Sequence, residues 1–157
     1  MKKVFSATVT PLMEDGSLDR EGLRNVFERN IRHGLDGIFI LGSMGEWGSF
    51  DDDFKENLVA ECAAVIDGRI DLLVGISATS QGLSLKNMKR YAKYEFDSYV
   101  YMLPAKTSAL KPLKSILTVL DQADRPVYYY HCPPNNGVDL SLEQFAEIMA
   151  HPNLKGI

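Results

Sequence analysis

Short apolar, β-rich segments alternate with amphipathic helical segments along the whole chain. Candidate strands recur at intervals of about 30 residues, the length of a βα unit; they begin near Phe5, Gly37, Asp71, Ser98, Val127 and Leu154. This regular alternation predicts a mostly parallel sheet whose strands are joined by right-handed crossovers.

The segments between the strands begin with helix start signals: Asp19, the acidic run Asp51–Asp53, Pro112 in a first turn, and a capping box over Ser141–Gln144. Apolar residues repeat at helical spacing in five segments, and we expect them to be buried: Leu23, Val26, Phe27 and Ile31; Phe54, Leu58, Cys62 and Ile66; Leu85, Met88 and Ala92; Leu113, Ile116, Leu117 and Leu120; and Phe145, Ile148 and Met149.

Two architectures fit this alternation. Five βα units would complete a flavodoxin-like open sheet, whereas a (β/α)8 barrel needs about 250 residues. The pattern alone therefore favours the open sheet. Both folds bind ligands at the carboxyl ends of their strands, so chemistry is expected in the loops that follow the strands.

Composition and charge indicate a folded cytoplasmic protein. The 157 residues suit one domain. A net charge of −4 without a basic block disfavours nucleic acid or an anionic membrane surface as a partner. No apolar run reaches the roughly 20 residues that span a bilayer, and the apolar stretch near Met1 is too short for a signal peptide. Cys62 and Cys132 form no disulfide framework, which suits a reducing compartment.

The loop after the second strand reads Gly42-Ser43-Met44-Gly45-Glu46. Glycines on both sides of a hydroxyl allow backbone N–H groups to turn toward a small anion such as a carboxylate. The spacing matches neither a dinucleotide fingerprint nor a P-loop. A glycine-rich turn with a purely structural role is the alternative.

The fifth strand ends at Tyr130, followed by His131 and Cys132. Strand alternation places Tyr128 and Tyr130 on one face, and a tyrosine at a strand end can transfer a proton. A packed aromatic is the more common role for such a residue. His131 and Cys132 are adjacent and point to opposite faces, which disfavours a Cys–His nucleophile, and no metal-ligand spacing occurs in the sequence.

One lysine also lies in a strand-end loop. Lys106 follows the fourth strand, where a cation could contact an acidic substrate, although a solvated lysine is the more ordinary interpretation.

Together these segments resemble the pyruvate-dependent class I aldolases of the N-acetylneuraminate lyase and dihydrodipicolinate synthase family. Four segments match in order: Thr10-Pro11 with Asp15-Gly16 and Asp19; Gly42–Glu46, similar to a G-[ST]-T-G-E loop; Tyr130-His131-Cys132-Pro133 with Gly137, similar to Y-N-x-P…TG; and Pro152–Ile157, similar to the approach to a G-I-K strand.

The resemblance implies a (β/α)8 TIM barrel in place of the open sheet. Residues 1–157 would be the N-terminal part of a single barrel domain, with about five βα units and the start of strand 6. In this family a lysine directly after Gly-Ile forms a Schiff base with pyruvate. That lysine would follow Ile157, and Lys155 is a poor substitute because it points to the opposite face from such a lysine.

The resemblance also assigns site residues. Tyr130 and Ser43 match a catalytic proton relay, and Ser43, Met44, Gly45 and Thr10 match a substrate-binding segment, with no cofactor and no metal. Met44 replaces a threonine, so one hydroxyl contact is lost while its backbone N–H remains. The family's second relay tyrosine has no match after the fourth strand, where only Tyr101 is near.

The resemblance is closer to the lyase branch, because Asn135 stands where the synthase branch carries a carboxylate-binding arginine. The first hypothesis is reversible cleavage of a 2-oxo-3-deoxy sugar acid to pyruvate and an aldehyde by a cytoplasmic homotetramer. One alternative is dihydrodipicolinate synthase, which condenses pyruvate with aspartate semialdehyde. Another is an inactive half-barrel that lacks the imine lysine.

Overall fold

The computed structural model describes residues 3–157. Over this range the strands are Phe5–Ala7 (β1), Gly37–Ile40 (β2), Asp71–Gly75 (β3), Ser98–Tyr101 (β4), Val127–Tyr129 (β5) and Leu154–Gly156 (β6). The helices are Arg20–Arg32 (α1), Asp52–Ile66 (α2), Gln81–Tyr91 (α3), Pro112–Gln122 (α4), Pro133–Asn136 (α5) and Leu142–Met149 (α6). All these strands begin at the residues that the sequence pattern predicts.

The chain folds as two compact units. The first unit contains the residues up to Gly75 together with Arg90–Asp97, and the second contains Ile76–Lys89 and Ser98–Ile157. In the first unit β2 pairs in parallel with both β1 and β3. In the second unit β5 pairs in parallel with both β4 and β6.

This strand order decides between the two architectures. A flavodoxin-like sheet places β1 between its two following strands, whereas here β2 lies between β1 and β3. Neighbouring strands that follow chain order are those of a (β/α) barrel. The preference of the bare pattern for an open sheet is therefore wrong, and the barrel strand order is confirmed within each unit.

The helix start signals act as predicted. Asp19 Oδ1 accepts a hydrogen bond from the Gly22 amide at 2.8 Å, and Asp51 Oδ1 accepts one from the Phe54 amide at 2.7 Å. Ser141 and Gln144 form a reciprocal capping box. These bonds satisfy amides that the first helical turn leaves unpaired. No helix within residues 3–157 combines the length and the apolarity needed to cross a bilayer.

Each unit has its own apolar core between helices and strands. In the first unit the fully buried side chains include Leu23, Phe27, Leu58, Val59, Cys62, Ile38 and Leu72. In the second unit they include Tyr99, Tyr101, Ile116, Val119, Leu120, Tyr129 and Ile148. Burial in the first core raises the pKa of the Cys62 thiol well above its ordinary value, so this cysteine is a core residue.

The structure corrects two details of the helices. Met149 is 68% exposed rather than buried, because α6 buries its apolar face through Ile148 and the next residue lies about 100° further round the helix. Ala92 lies beyond α3, which ends at Tyr91. The short helix α5 is an element that the sequence pattern does not predict.

Candidate active-site segments

The turn after β2 begins with an unusual backbone conformation. Leu41 is buried and has a φ of 54°, a left-handed conformation that a leucine rarely adopts. Its carbonyl packs against Gly75, where any Cβ would collide with it. A Cβ at Gly42 would lie 2.7 Å from the Phe39 ring, so any larger residue there would require the ring or the turn to shift. Such local strain is typical of functional segments.

The turn itself leaves two consecutive amides available. Gly45 donates its N–H to the Gly42 carbonyl at 3.1 Å, and Glu46 donates to the Ser43 carbonyl at 3.1 Å. Within residues 3–157, the amides of Ser43 and Met44 donate no hydrogen bond. Adjacent unpaired N–H groups in a tight turn form a binding place for a small anion.

Thr10 fixes this turn from the end of β1. Its hydroxyl Oγ1 donates to the Gly45 carbonyl at 2.8 Å. The Thr8 amide donates to the Phe39 carbonyl at 3.0 Å and so extends the pairing of β1 with β2. Gly45 is tightly enclosed, since a Cβ there would lie 3.1 Å from the Thr8 carbonyl oxygen. The structure thus places Thr10, Ser43, Met44 and Gly45 together in the first unit.

Tyr130 follows β5 in the second unit. Its amide donates to the Tyr101 carbonyl at 2.8 Å, which holds the backbone as a continuation of the strand. Its side chain is 43% exposed, whereas that of Tyr129 is 1% exposed, as strand alternation predicts. A hydrogen bond to the Cys132 side chain and the charge of that ionisable thiol raise the pKa of Tyr130, and burial adds to the shift. The phenol is therefore held in its protonated form.

His131 and Cys132 have different surroundings. The Tyr129 hydroxyl lies 3.3 Å from His131 Nδ1, and the His131 ring packs edge-on against Phe145 with a centroid separation of 4.9 Å. Cys132 instead interacts with Tyr130. The prediction that the two residues form no nucleophilic pair agrees with these contacts.

Tyr101, the tyrosine nearest to the expected second relay position, is buried. It is 1% exposed, and its hydroxyl lies 2.9 Å from Ser115 Oγ on α4. Burial raises the pKa of this phenol. The side chain of Tyr101 therefore packs toward α4, a direction that its position at the end of β4 does not reveal in the sequence alone.

Asn136 is a structural residue that sequence reasoning missed. It is 5% exposed; its Nδ2 donates to the Leu103 carbonyl at 3.3 Å, and its Oδ1 accepts from the Val138 amide at 2.9 Å. Its own carbonyl accepts from the Lys106 amide at 2.7 Å. These bonds join the loop after β4 to the segment after β5. The neighbouring Asn135 is exposed.

The described residues also limit the metal chemistry of these segments. Between residues 3 and 157, no group of three or more His, Cys, Asp or Glu side chains could hold a metal ion. Besides the His131 imidazole and the Cys132 thiol, the two strand-end segments offer backbone amides, hydroxyls and a phenol, groups that suit an organic acid.

A family model described as the dihydrodipicolinate synthetase family matches residues 1–157. The chain belongs to this family. It is 30% identical, over 159 aligned residues, to the 4-hydroxy-tetrahydrodipicolinate synthase of Xanthomonas axonopodis pv. citri. That alignment covers 98% of this chain and 52% of the relative, so the chain spans about half the length of the curated relatives it matches.

Two solved structures share the fold of this chain. YagE of Escherichia coli K12, in complex with pyruvate, superposes with a TM-score of 0.87 at 22% identity, over 94% of this chain and 50% of that one. CdNal of Clostridium difficile, in complex with mannosamine, superposes with a TM-score of 0.87 at 22% identity, over 99% and 55%. These likenesses confirm a partial (β/α) barrel.

Proposed function

We propose that the protein containing this chain is a pyruvate-dependent class I aldolase that reversibly cleaves a 2-oxo-3-deoxy sugar acid to pyruvate and an aldehyde. The observation that supports this most directly is the pair of unpaired amides at Ser43 and Met44. They stand in a turn that Thr10 fixes, and they suit the carboxylate of a 2-oxo acid.

In the proposed reaction, the lysine that the family resemblance places after Ile157 attacks the C2 carbonyl of the substrate and forms an imine with loss of water. The bond between C3 and C4 breaks, the C4 hydroxyl loses its proton, and the aldehyde leaves. The electron pair passes into the imine as an enamine, C3 takes up a proton, and water releases pyruvate.

We assign the proton transfers to Tyr130 and, as the family resemblance implies, to the Ser43 hydroxyl. A phenol that stays protonated at neutral pH can donate its proton and recover it within one cycle. Thr10 and the Gly45 backbone hold the turn, and the amides of Ser43 and Met44 bind the carboxylate. The side chain of Met44 is 60% exposed and replaces a hydroxyl, so the backbone carries the binding at that position.

The choice between the two branches depends on position 135. Asn135 is exposed and uncharged, so it cannot bind the carboxylate of aspartate semialdehyde as the arginine of the synthase branch does. This favours a sugar acid as the substrate. Dihydrodipicolinate synthase remains the second candidate, because the curated relatives reported above carry the name 4-hydroxy-tetrahydrodipicolinate synthase.

Borohydride reduction in the presence of pyruvate tests the proposed aldolase. The sample is a protein whose sequence continues beyond Ile157 through the imine lysine, and intact mass is the readout. We expect a stable adduct with pyruvate and none with acetate, which lacks the carbonyl. Absence of the pyruvate adduct would overturn the proposal.

A second assay distinguishes the branches. Turnover of 2-oxo-3-deoxy sugar acids is compared with condensation of pyruvate and aspartate semialdehyde at equal enzyme concentration. Faster turnover of the sugar acids supports the first candidate, whereas faster condensation with the semialdehyde assigns the protein to the synthase.

A further inference from the structure

Tyr130 is flanked by two side chains that lie on the other side of the strand. Alternate residues of an extended chain face opposite sides, so Tyr129 and His131 share one side and Tyr130 takes the other. The contact between the Tyr129 and His131 rings, whose centroids are 5.9 Å apart, agrees with this alternation. The Tyr130 amide continues the strand by donating to the Tyr101 carbonyl at 2.8 Å. The direction of the Tyr130 phenol therefore depends on how firmly its two neighbours are held.

His131 contacts three separate parts of the second unit. Its Nδ1 lies 3.3 Å from the Tyr129 hydroxyl at the end of β5. Its Nε2 lies 3.6 Å from a carboxylate oxygen of Asp139, in the loop before α6. Its ring meets the ring of Phe145 on α6 edge-on, with a centroid separation of 4.9 Å. One imidazole therefore joins the strand, the loop and the helix around the residue next to Tyr130.

The polar contacts of the imidazole follow from the state of Tyr129. Burial raises the pKa of this phenol, so its hydroxyl keeps the proton that it can donate to His131 Nδ1. With Nδ1 as the acceptor, a neutral imidazole carries its proton on Nε2, the nitrogen nearest Asp139. Both ring nitrogens therefore have a polar neighbour, and these neighbours define one orientation of the ring.

The imidazole is the main anchor of its own residue. Within residues 3–157, the His131 amide donates no hydrogen bond. The next backbone bond along the chain, from the Asn135 amide to the Cys132 carbonyl at 3.0 Å, closes the turn of α5 and does not reach His131. Loss of the imidazole contacts would therefore leave the peptide groups between Tyr130 and Cys132 free to rotate.

We propose that His131 is a positioning residue for Tyr130: its imidazole anchors the chain on one side of the strand and thereby directs the phenol to the other. This inference rests on the proposed aldolase, in which Tyr130 transfers protons. The Y-N-x-P motif that this segment resembles has asparagine where His131 stands. An asparagine amide can occupy the place of Nδ1, whereas histidine adds Nε2, the atom that approaches Asp139. The contact with Asp139 is therefore a feature that the histidine introduces.

The test measures kcat and KM for pyruvate in steady-state condensation, with the aldehyde that gives turnover in the assay above and with a protein that continues beyond Ile157. His131→Phe keeps a ring against Phe145 but removes both polar contacts. We expect kcat to fall roughly 5- to 30-fold, as for the loss of one or two hydrogen bonds. KM for pyruvate should stay within about twofold, because the amides of Ser43 and Met44 bind the carboxylate. His131→Asn restores a polar atom at the place of Nδ1 and should recover most of kcat.

His151 offers a matched control in the same unit. Its Nε2 lies 3.0 Å from Asp121 Oδ1, and its Nδ1 accepts the Asn153 amide at 3.2 Å, so it too uses both ring nitrogens. It precedes β6 and therefore lies at the opposite end of the strands from Tyr130. His131→Phe and His151→Phe should both lower the unfolding temperature, whereas only His131→Phe should lower kcat.

A second variant keeps the test decisive if His131→Phe does not fold. Tyr129→Phe retains the buried ring and deletes only the hydroxyl that meets His131 Nδ1. It should lower kcat about two- to fivefold, far less than loss of the Tyr130 hydroxyl, again without a change in KM for pyruvate.

The outcomes separate this inference from the proposed function. An unchanged kcat in His131→Phe, or in Tyr129→Phe where the first variant does not fold, overturns the role of His131 and leaves the aldolase intact. An equal fall of kcat in His151→Phe, or a matching rise in KM for pyruvate, overturns it as well, because the effect would then be a general loss of structure. If the unaltered protein gives no borohydride-trapped pyruvate adduct, the aldolase is wrong and the role of His131 falls with it.

Discussion

The two strand-end segments present different kinds of chemical group. The turn after β2 presents backbone amides fixed by a left-handed Leu41, by enclosed glycines and by the hydroxyl of Thr10. The segment after β5 presents titratable side chains, Tyr130 and Cys132, on a strand extension. A backbone turn binds an anion in the same way at every pH, whereas a proton-transfer group must be able to titrate. In the proposed reaction, the first segment binds the carboxylate and the second transfers the proton.

The largest effect is expected from Tyr130→Phe. Loss of the phenol hydroxyl should lower kcat by roughly 10²- to 10⁴-fold, the usual contribution of a positioned proton-transfer group. Steady-state cleavage measures it. Tyr129→Phe is the matched control, since it removes a hydroxyl one residue away that faces His131. A kcat that falls equally in both variants would contradict the assignment.

Gly45→Ala is the next largest change. Its Cβ would stand 3.1 Å from the Thr8 carbonyl oxygen, so the turn must shift at a cost of about 1–3 kcal/mol. KM for pyruvate should rise about tenfold or more, while Gly48→Ala, whose Cβ meets nothing within 4 Å, should leave it unchanged. Pyruvate titration of both variants checks this. If Gly45→Ala keeps the original KM, the turn does not hold the carboxylate.

Thr10→Val gives a smaller effect in the same direction. Valine keeps the shape but cannot donate to the Gly45 carbonyl, and a single hydrogen bond contributes about 1 kcal/mol. We expect KM for pyruvate to rise roughly fivefold. Thr10→Ser retains the hydroxyl and should stay close to the original protein. Equal values for the valine and serine variants would show that this bond does not stabilise the turn.

The smallest effect concerns pH. The Cys132 side chain raises the pKa of Tyr130, so Cys132→Ala should move that pKa down toward its ordinary value. The basic limb of the kcat profile then moves to lower pH, while the rate at neutral pH changes little because the phenol stays protonated there. The pH profile of cleavage between neutrality and high pH measures the shift. A limb that moves to higher pH would contradict the contact.

The sequence pattern predicts much of the local structure. Strand starts are predicted because β-branched and aromatic runs are separated by polar turns. Asp19, Asp51 and Ser141 cap their helices through contacts only three residues away. The strand order is a non-local property, and the alternation alone predicts it wrongly. The resemblance to a family corrects it.

The site is predicted less completely. Ser43, Met44 and Gly45 are adjacent in one motif and Thr10 lies in another, so the sequence names these residues, whereas the left-handed Leu41 before the turn has no sequence signal. The direction of the Tyr101 side chain depends on Ser115 in α4. The tie between Lys106 and Asn136 joins residues 30 positions apart, and no periodicity indicates it.

Asn136 precedes Gly137, a dipeptide in which the glycine amide can attack the side-chain carbonyl and release ammonia. Here that amide is engaged, since it donates to the Pro133 carbonyl at 2.7 Å, and both ends of the Asn136 side chain are hydrogen-bonded. Deamidation therefore requires the loop to open first. The rate of Asn136 deamidation in stored protein therefore reports how often the loop beside Lys106 opens. Peptide mass measures it.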